Sequence, residues 1–164
     1  MKIQKMAVLI LICFFMLGCS SGAGDTSPRS IDPTLDICPV CRMSIVDMHF
    51  AAQVINSKKQ VESFDDIGCL ALYLKRMEPD WKTQGLTIYV KDFNTMEWVL
   101  AEEATYTHGR IDTPMSFGIV AFSTSEAAGE FAARTESRML AWPEIFEVKQ
   151  TVGFEAPAVQ EQTQ

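Results

Sequence analysis

The alternation of apolar and polar positions in the first half of the chain predicts a hairpin, a helix and a third strand. Apolar-rich segments from Phe50 to Ile55 and from Gln60 to Phe64 flank the polar turn 56–59, which is typical of a β-hairpin. Asp65 is expected to cap a helix that ends before Pro79. The apolar residues of this helix recur at helical spacing: Ile67, Leu70, Ala71 and Leu74. The segment 86–90 predicts the next strand.

The second half repeats this order of elements. The predicted elements are a strand at 104–108, a turn at 109–114, a strand at 116–122, a helix opened by a capping box from Ser123 to Glu126, and a strand at 138–142. The segment 64–68 aligns with 122–126, a strand end followed by a helix cap in both. The pattern therefore predicts an α+β fold of two small related ββαβ lobes with antiparallel or mixed sheets, one over 37–97 and one over 98–150.

The N-terminal segment has the layout of a secretory signal. Lys2 and Lys5 precede an apolar run from Ala7 to Leu17 that is too short to span a bilayer, and Gly18 and Cys19 follow it. The stretch 16–19 resembles a lipobox. We expect residues 1–18 to be a signal peptide, Cys19 to be lipidated and 19–36 to form a flexible tether. The alternative is an ordinary signal peptide that is cleaved close to this position, with no lipidation of Cys19. The expected location is the periplasmic side of the cell envelope, with the outer membrane favoured over the inner.

Charge and composition narrow the classes of ligand. Loss of Lys2 and Lys5 with the signal changes the formal net charge from −7 to −9, which argues against nucleic acid as a partner. The Gln-rich segment 151–164 is expected to be a disordered tail.

The segment Cys38-Pro39-Val40-Cys41-Arg42-Met43 is the sharpest chemical feature of the chain. Its two thiols and one thioether are soft sulfur donors, which favour Cu(I). In an extended segment, Cys41 and Met43 would project from the same face, and Cys38 could join them through a turn at Pro39.

Other uses of these thiols remain open. Cys38 and Cys41 could form a disulfide in an oxidising compartment. They could also catalyse thioredoxin-like redox chemistry, although thioredoxin-like motifs lie at the start of a helix and this motif precedes a hairpin. A structural zinc site usually needs four ligands, and the rest of the chain offers only single candidates: Cys69, His49 and His108.

Three residues outside the motif are further candidate ligands. Met115 follows Pro114 in a predicted turn, where a core residue is less expected, and His108 and His49 could each supply a nitrogen. No combination of nucleophile and base is apparent, so we expect a protein that is not an enzyme.

Several of these segments together resemble the NosL family over about residues 38–147. They are the lipobox, the Cys-Pro-Val-Cys-x-Met block, Phe64-Asp65-Asp66, 90–93 with Trp98, 101–104, and Pro114-Met115 followed by Ala121-Phe122. The resemblance implies a lipoprotein copper chaperone for the maturation of periplasmic nitrous oxide reductase. It also implies two related ββαβ lobes, similar to part of the organomercurial lyase MerB.

The resemblance places the family's Cys-Gly-Met on residues 41–43 and its Gly-Pro-Met-Gly on 113–116, so Arg42, Thr113 and Ser116 stand where the family has glycine. Arg42 could lower the thiolate pKa of Cys41. The resulting hypothesis is a membrane-anchored Cu(I) metallochaperone that serves nitrous oxide reductase and its assembly machinery, and it leaves open a metal-bridged homodimer. A general envelope lipoprotein that binds copper or zinc, or a thiol-redox protein, is the alternative.

Overall fold

The computed structural model describes residues 26–77 and 85–150. The predicted signal peptide, the predicted lipidation site Cys19, the Gln-rich tail and Pro79 lie outside the described residues. Within the two described ranges, no helix is both long and apolar enough to cross a membrane.

The first lobe is a four-stranded antiparallel sheet with one helix. Strands β1 (Ala52–Ile55) and β2 (Val61–Phe64) form the predicted hairpin, and the Asn56 side chain closes its turn by accepting hydrogen bonds from the backbone N–H groups of Lys58 and Gln60. The other elements are helix α1 (Ile67–Arg76), β3 (Thr87–Lys91) and β4 (Trp98–Leu100). The strand order is β2-β1-β3-β4.

The second lobe repeats this arrangement with three strands. It contains β5 (Thr105–His108), β6 (Ile119–Phe122), helix α2 (Ser125–Thr135) and β7 (Arg138–Leu140). Its strand order, β6-β5-β7, corresponds to β2-β1-β3 of the first lobe, and its pairs are also antiparallel. The predicted α+β fold with two ββαβ units is therefore confirmed.

Both helices start one residue later than the sequence pattern predicts. Asp66 caps α1 by accepting a hydrogen bond from Gly68 N–H, and Thr124 caps α2 by accepting one from Ala127 N–H. Asp65 and Ser123 are therefore not the caps. The alignment of the two halves is unaffected, because Phe64 and Phe122 each end a strand two residues before the cap.

Two apolar clusters join the lobes. The larger combines first-lobe residues such as Phe64 and Leu70 with second-lobe residues such as Tyr106 and Ile119, and the smaller joins Phe50 to Phe122. A 3-10 helix, Trp142–Glu147, contacts α1 of the other lobe and replaces the end of the strand predicted to reach residue 142.

Two predicted boundaries differ in the structure. Strand β4 at 98–100 hydrogen-bonds to β3, so the first sheet extends past the expected division between 97 and 98. The tether was expected to reach residue 36, but Arg29 already exchanges backbone hydrogen bonds with the buried Gln53 side chain and pairs with Asp36. The buried amide needs polar partners, and ordering of the chain at Arg29 supplies them.

Candidate metal centre

The loop that carries the first two cysteines is a tight reversal of the chain between Ile37 and Ser44, which form an isolated antiparallel bridge. Arg42 N–H donates to Cys38 O at 3.0 Å, and Cys38 N–H donates to Met43 O at 2.9 Å. The predicted turn at Pro39 is present. The expectation of an extended segment through Met43 is wrong at Arg42, whose φ of 66° turns the chain.

The opposite wall comes from the junction between β2 and α1. Asp65 follows the last residue of β2, and Cys69 lies in the first turn of α1, after the cap at Asp66. Because the hairpin and the helix both pack into the core, these two side chains point inward and are 2% and 1% exposed.

The two walls bring four donor groups together. One ligand atom from each lies within 4.8 Å of the others, and all four residues are buried: Cys38, Cys41, Asp65 and Cys69. The Cys41 thiol donates to Asp65 Oδ2 at 3.1 Å. The other oxygen, Oδ1, is buried and has no hydrogen-bond partner among the described residues. A buried carboxylate oxygen without a hydrogen-bond partner, beside three thiols, is suited to bind a cation, which would satisfy its lone pairs.

Hydrogen bonding and burial give the three thiols different acidities. The Cys69 thiol donates to Cys38 and, with backbone N–H groups of Cys41 and Asp65, lowers the pKa of Cys38 to about 7 against the opposing effect of burial. Donation to Cys38 and burial raise the pKa of Cys69. Cys38 is therefore the most acidic of the three thiols.

Burial, with a smaller contribution from the Asp65 carboxylate, raises the pKa of Cys41. The pKa of Cys41 thus shifts in the opposite direction to the lowering predicted from Arg42, because removal of the sulfur from water dominates and the adjacent carboxylate adds to it. Met43 N–H still donates to the Cys41 sulfur and opposes the rise. That N–H is already oriented towards the charge that Cys41 would carry as a metal ligand.

The three cysteines in the described part of the chain are free thiols, and the alternative hypothesis of a Cys38–Cys41 disulfide is not borne out in this structure. Three soft sulfurs and one carboxylate within reach of a common point can hold a single d10 metal ion. Sulfur is the donor that Cu(I) prefers, whereas Zn²⁺ accepts both sulfur and carboxylate oxygen.

The two predicted methionines belong to two different loops that lie next to this centre. Met43 is 48% exposed at the edge of the cysteine loop, whereas Met115 is 5% exposed. The backbone N–H of Met115 donates to Asp66 Oδ2 at 3.0 Å, one residue along the chain from Asp65. The thioether at 115 thus belongs to a second-lobe loop that is fastened beside the cluster.

The structure does not bring either predicted histidine into the cluster. The His49 ring is 2.9 Å from an Asp47 oxygen and contacts the Phe93 ring at a centroid distance of 5.3 Å. His108 ends β5, and burial and the Arg138 charge lower its pKa.

Sequence reasoning did not place Cys69 or Asp65 in the copper site: Cys69 was considered only as a single possible zinc ligand, and Asp65 only as a helix cap. Cys69 is one of the inward positions of α1, which by itself indicates a core residue. The available signal was their position, since both flank the cap of the helix that follows the hairpin.

Comparison with known proteins supports the resemblance given by the motifs. The family model NosL matches residues 29–149. The crystal structure of the copper chaperone NosL from Shewanella denitrificans has a similar fold, with a TM-score of 0.62 and 19% sequence identity, and the match covers 74% of this chain and 96% of that chain. No curated protein matches. A family match over most of the chain, together with the fold, shows that this protein belongs to the NosL family.

Proposed function

We propose that this protein is a membrane-anchored carrier of Cu(I) that delivers copper to periplasmic nitrous oxide reductase during assembly of its copper-sulfide centre. The observation that carries the proposal is the gathering of Cys38, Cys41 and Cys69 within 4.8 Å of one another in a buried cluster. The family membership and the copper chaperone of similar fold point to the same cargo.

Burial of the sulfurs favours metal carriage over thiol exchange. Cys38 and Cys69 are 0% and 1% exposed, so the disulfide of a partner protein cannot reach them for in-line attack. A bare metal ion needs a much smaller opening. A carrier that catalyses no reaction agrees with this arrangement and with the family.

The two methionines have different roles in this proposal. Met43 is the exposed donor at the edge of the site, so it can hold copper while a ligand of the receiving protein replaces the cysteines one at a time. Met115 approaches from the second lobe and completes the sulfur set from the buried side.

The anchor extends the same proposal. Lipidated Cys19 would be joined to the fold by residues 20–28, because Arg29 is already hydrogen-bonded to Gln53. A flexible segment of this length spans on the order of 18 Å. Such a short tether keeps the cargo close to membrane-bound assembly partners.

A competition titration with a Cu(I) chelator tests the cargo. We expect one Cu(I) per chain, at least tenfold weaker binding in Cys41→Ser, and weaker binding in Met43→Leu. The matched control is Met139→Leu, because Met139 is also exposed, at 44%, but lies in β7. Equal affinity in wild type and Cys41→Ser would contradict the proposal.

Transfer to metal-free nitrous oxide reductase tests the client. Copper-loaded carrier and sulfide should restore the absorption of the copper-sulfide centre, and Met43→Leu should slow the transfer more than it weakens binding.

The anchor is tested by palmitate labelling and by Cys19→Ala, which should release the protein from membranes.

The fourth donor raises a second candidate, a zinc-binding lipoprotein. In the sequence, the candidate zinc ligands outside the cysteine motif occur only singly, which argued against a zinc site. The fold, however, brings Asp65 next to three thiols and so provides the four ligands that a Zn²⁺ site needs. Asp65→Asn separates the two metals. It should weaken Zn²⁺ binding at least tenfold if zinc is the cargo, and leave Cu(I) affinity nearly unchanged if copper is.

A further inference from the structure

Asp66 uses its two carboxylate oxygens for two different partners. Oδ1 accepts from Gly68 N–H at 2.7 Å, which is the helix cap. Oδ2 accepts from the Thr113 hydroxyl at 2.7 Å and from Met115 N–H at 3.0 Å. The side chain is fully buried, so each of these bonds lies out of water, where its loss is costly.

The loop that receives Oδ2 is closed and seated on the same helix turn. Thr113 Oγ1 also accepts from Gly118 N–H at 3.1 Å, which closes the loop over residues 113–118. The Phe117 ring lies against Gly68 so closely that a Cβ at position 68 would be 1.9 Å from its Cγ. The Met115 backbone is therefore held on the N-terminal turn that carries Cys69.

The second lobe provides an internal comparison. Thr124 occupies the position in α2 that Asp66 occupies in α1, and its hydroxyl caps the helix by accepting from Ala127 N–H. A single oxygen is sufficient for that purpose. Capping therefore does not require the second oxygen of Asp66. This second oxygen accepts the hydrogen bonds from the Thr113–Met115 segment.

We propose that Asp66 is a positioning residue of the metal centre, whose Oδ2 clamps the Thr113–Met115 segment to α1 and so presents the Met115 thioether to the ion held by the cysteines. The inference rests on the proposed copper cargo. Asp66 itself does not touch the metal. It sets the distance between a donor from one lobe and the cluster of the other.

Asp66→Asn separates the clamp from the cap. Asparagine is as good a cap as aspartate, so its carbonyl can still accept from Gly68 N–H. Its NH₂ group can donate to the Thr113 hydroxyl oxygen but would face Met115 N–H, which is also a donor and loses its acceptor. The clamp on Met115 is lost while the helix start is kept.

The experiment is copper-edge X-ray absorption on selenomethionine-labelled, Cu(I)-loaded protein in a Met43→Leu background, so that copper–selenium scattering reports Met115. We expect this scattering in Met43→Leu and its reduction by at least half when Asp66→Asn is added, with copper–sulfur scattering from the cysteines unchanged. Thr113→Val, which keeps Asp66 and the cap, should reduce it in the same direction. This second variant remains informative if Asp66→Asn folds poorly.

Asp92→Asn is the matched control, because Asp92 is a buried carboxylate that accepts from Ser123, Asn94 and Thr95 away from the cysteines. It should lower stability and leave the selenium signal intact. Undiminished copper–selenium scattering in both Asp66→Asn and Thr113→Val would overturn the clamp, as would its absence from Met43→Leu alone. Failure of the wild type to retain any Cu(I) would instead overturn the proposed function, and the clamp with it.

Discussion

Arg42 and Ser116 share a left-handed backbone, with φ values of 66° and 56°, in the two loops that carry the candidate sulfur ligands Cys41 and Met115. The motif resemblance places glycine at both positions, and also at Thr113. The loop geometry therefore persists without the residue that adopts it most easily. Left-handed conformations are unfavourable for residues that have a Cβ, so each loop stores some strain.

Substitution of glycine at these positions should relieve that strain. We expect Arg42→Gly and Ser116→Gly each to increase the free energy of unfolding by about 0.5–1 kcal/mol, since the steric gain exceeds the extra flexibility of glycine in the unfolded chain. Urea unfolding measures the change. Lys58→Gly is the control, because Lys58 is not among the positions with positive φ, and it should destabilise the protein. Destabilisation by both loop variants would contradict the strain argument.

The close approach of Phe117 makes Gly68 intolerant of a side chain. Alanine normally stabilises a helix by about 1 kcal/mol over glycine, but a Cβ at position 68 would meet three ring atoms at 1.9, 2.2 and 2.5 Å. We expect Gly68→Ala to destabilise the protein by about 1–3 kcal/mol.

Helix α2 contains the matched control for Gly68→Ala. At Gly129 the nearest atom to an added Cβ is Met139 Sδ at 3.8 Å, an ordinary contact, so Gly129→Ala should stabilise by up to about 1 kcal/mol. Thermal unfolding of both variants checks the pair. The steric explanation fails if both substitutions change stability in the same direction.

Asp92 should contribute to the acid sensitivity of the fold. Burial raises its pKa, but hydrogen bonds from Ser123 and Thr95 outweigh burial and leave the pKa below its usual range. A carboxyl with a lowered pKa in the folded state stabilises the protein above the pKa of the unfolded chain, about 3.9, and loses this contribution as pH falls through the folded value.

We therefore expect Asp92→Asn to cost about 1–3 kcal/mol at pH 7, from the lost buried hydrogen bonds. The difference in unfolding free energy between wild type and variant should shrink as the pH is lowered from 6 to about 3. Urea unfolding across this range gives the difference directly. A difference that grows towards acid pH would show that the sign is wrong.

Cys69 should contribute to metal affinity although it lies far from the Cys38–Cys41 motif in sequence. We expect Cys69→Ala to bind Cu(I) at least tenfold more weakly than wild type and to lose at least 1.4 kcal/mol of the stabilisation that saturating metal confers. Ala71→Gly, a buried change on the same helix, controls for general loosening of α1. It should lower the metal-free unfolding temperature and retain the full metal-induced increase.

Much of the architecture follows from local patterns. Strand alternation and helical spacing depend on neighbouring residues, so the hairpin 52–64, both helices and the repeated ββαβ order were predictable. Errors occurred where two local solutions have nearly equal free energy, as at the caps, where Asp65 and Asp66 are both good capping residues. Strand β4 was missed as an element of the first sheet because three residues show no clear period.

The sequence by itself determined the sulfur-rich loop, its turn at Pro39 and the family to which the chain belongs. Each of these features depends on residues that are adjacent in the chain or separated by a fixed number of positions. Only the tertiary structure decided which groups share the site. Packing of α1 against the cysteine loop adds Cys69 and Asp65, and the second carboxylate oxygen of Asp66 fixes the Met115 loop beside them. The same packing leaves His49 and His108 elsewhere. Such convergence depends on contacts between segments distant in the chain, which no local pattern encodes.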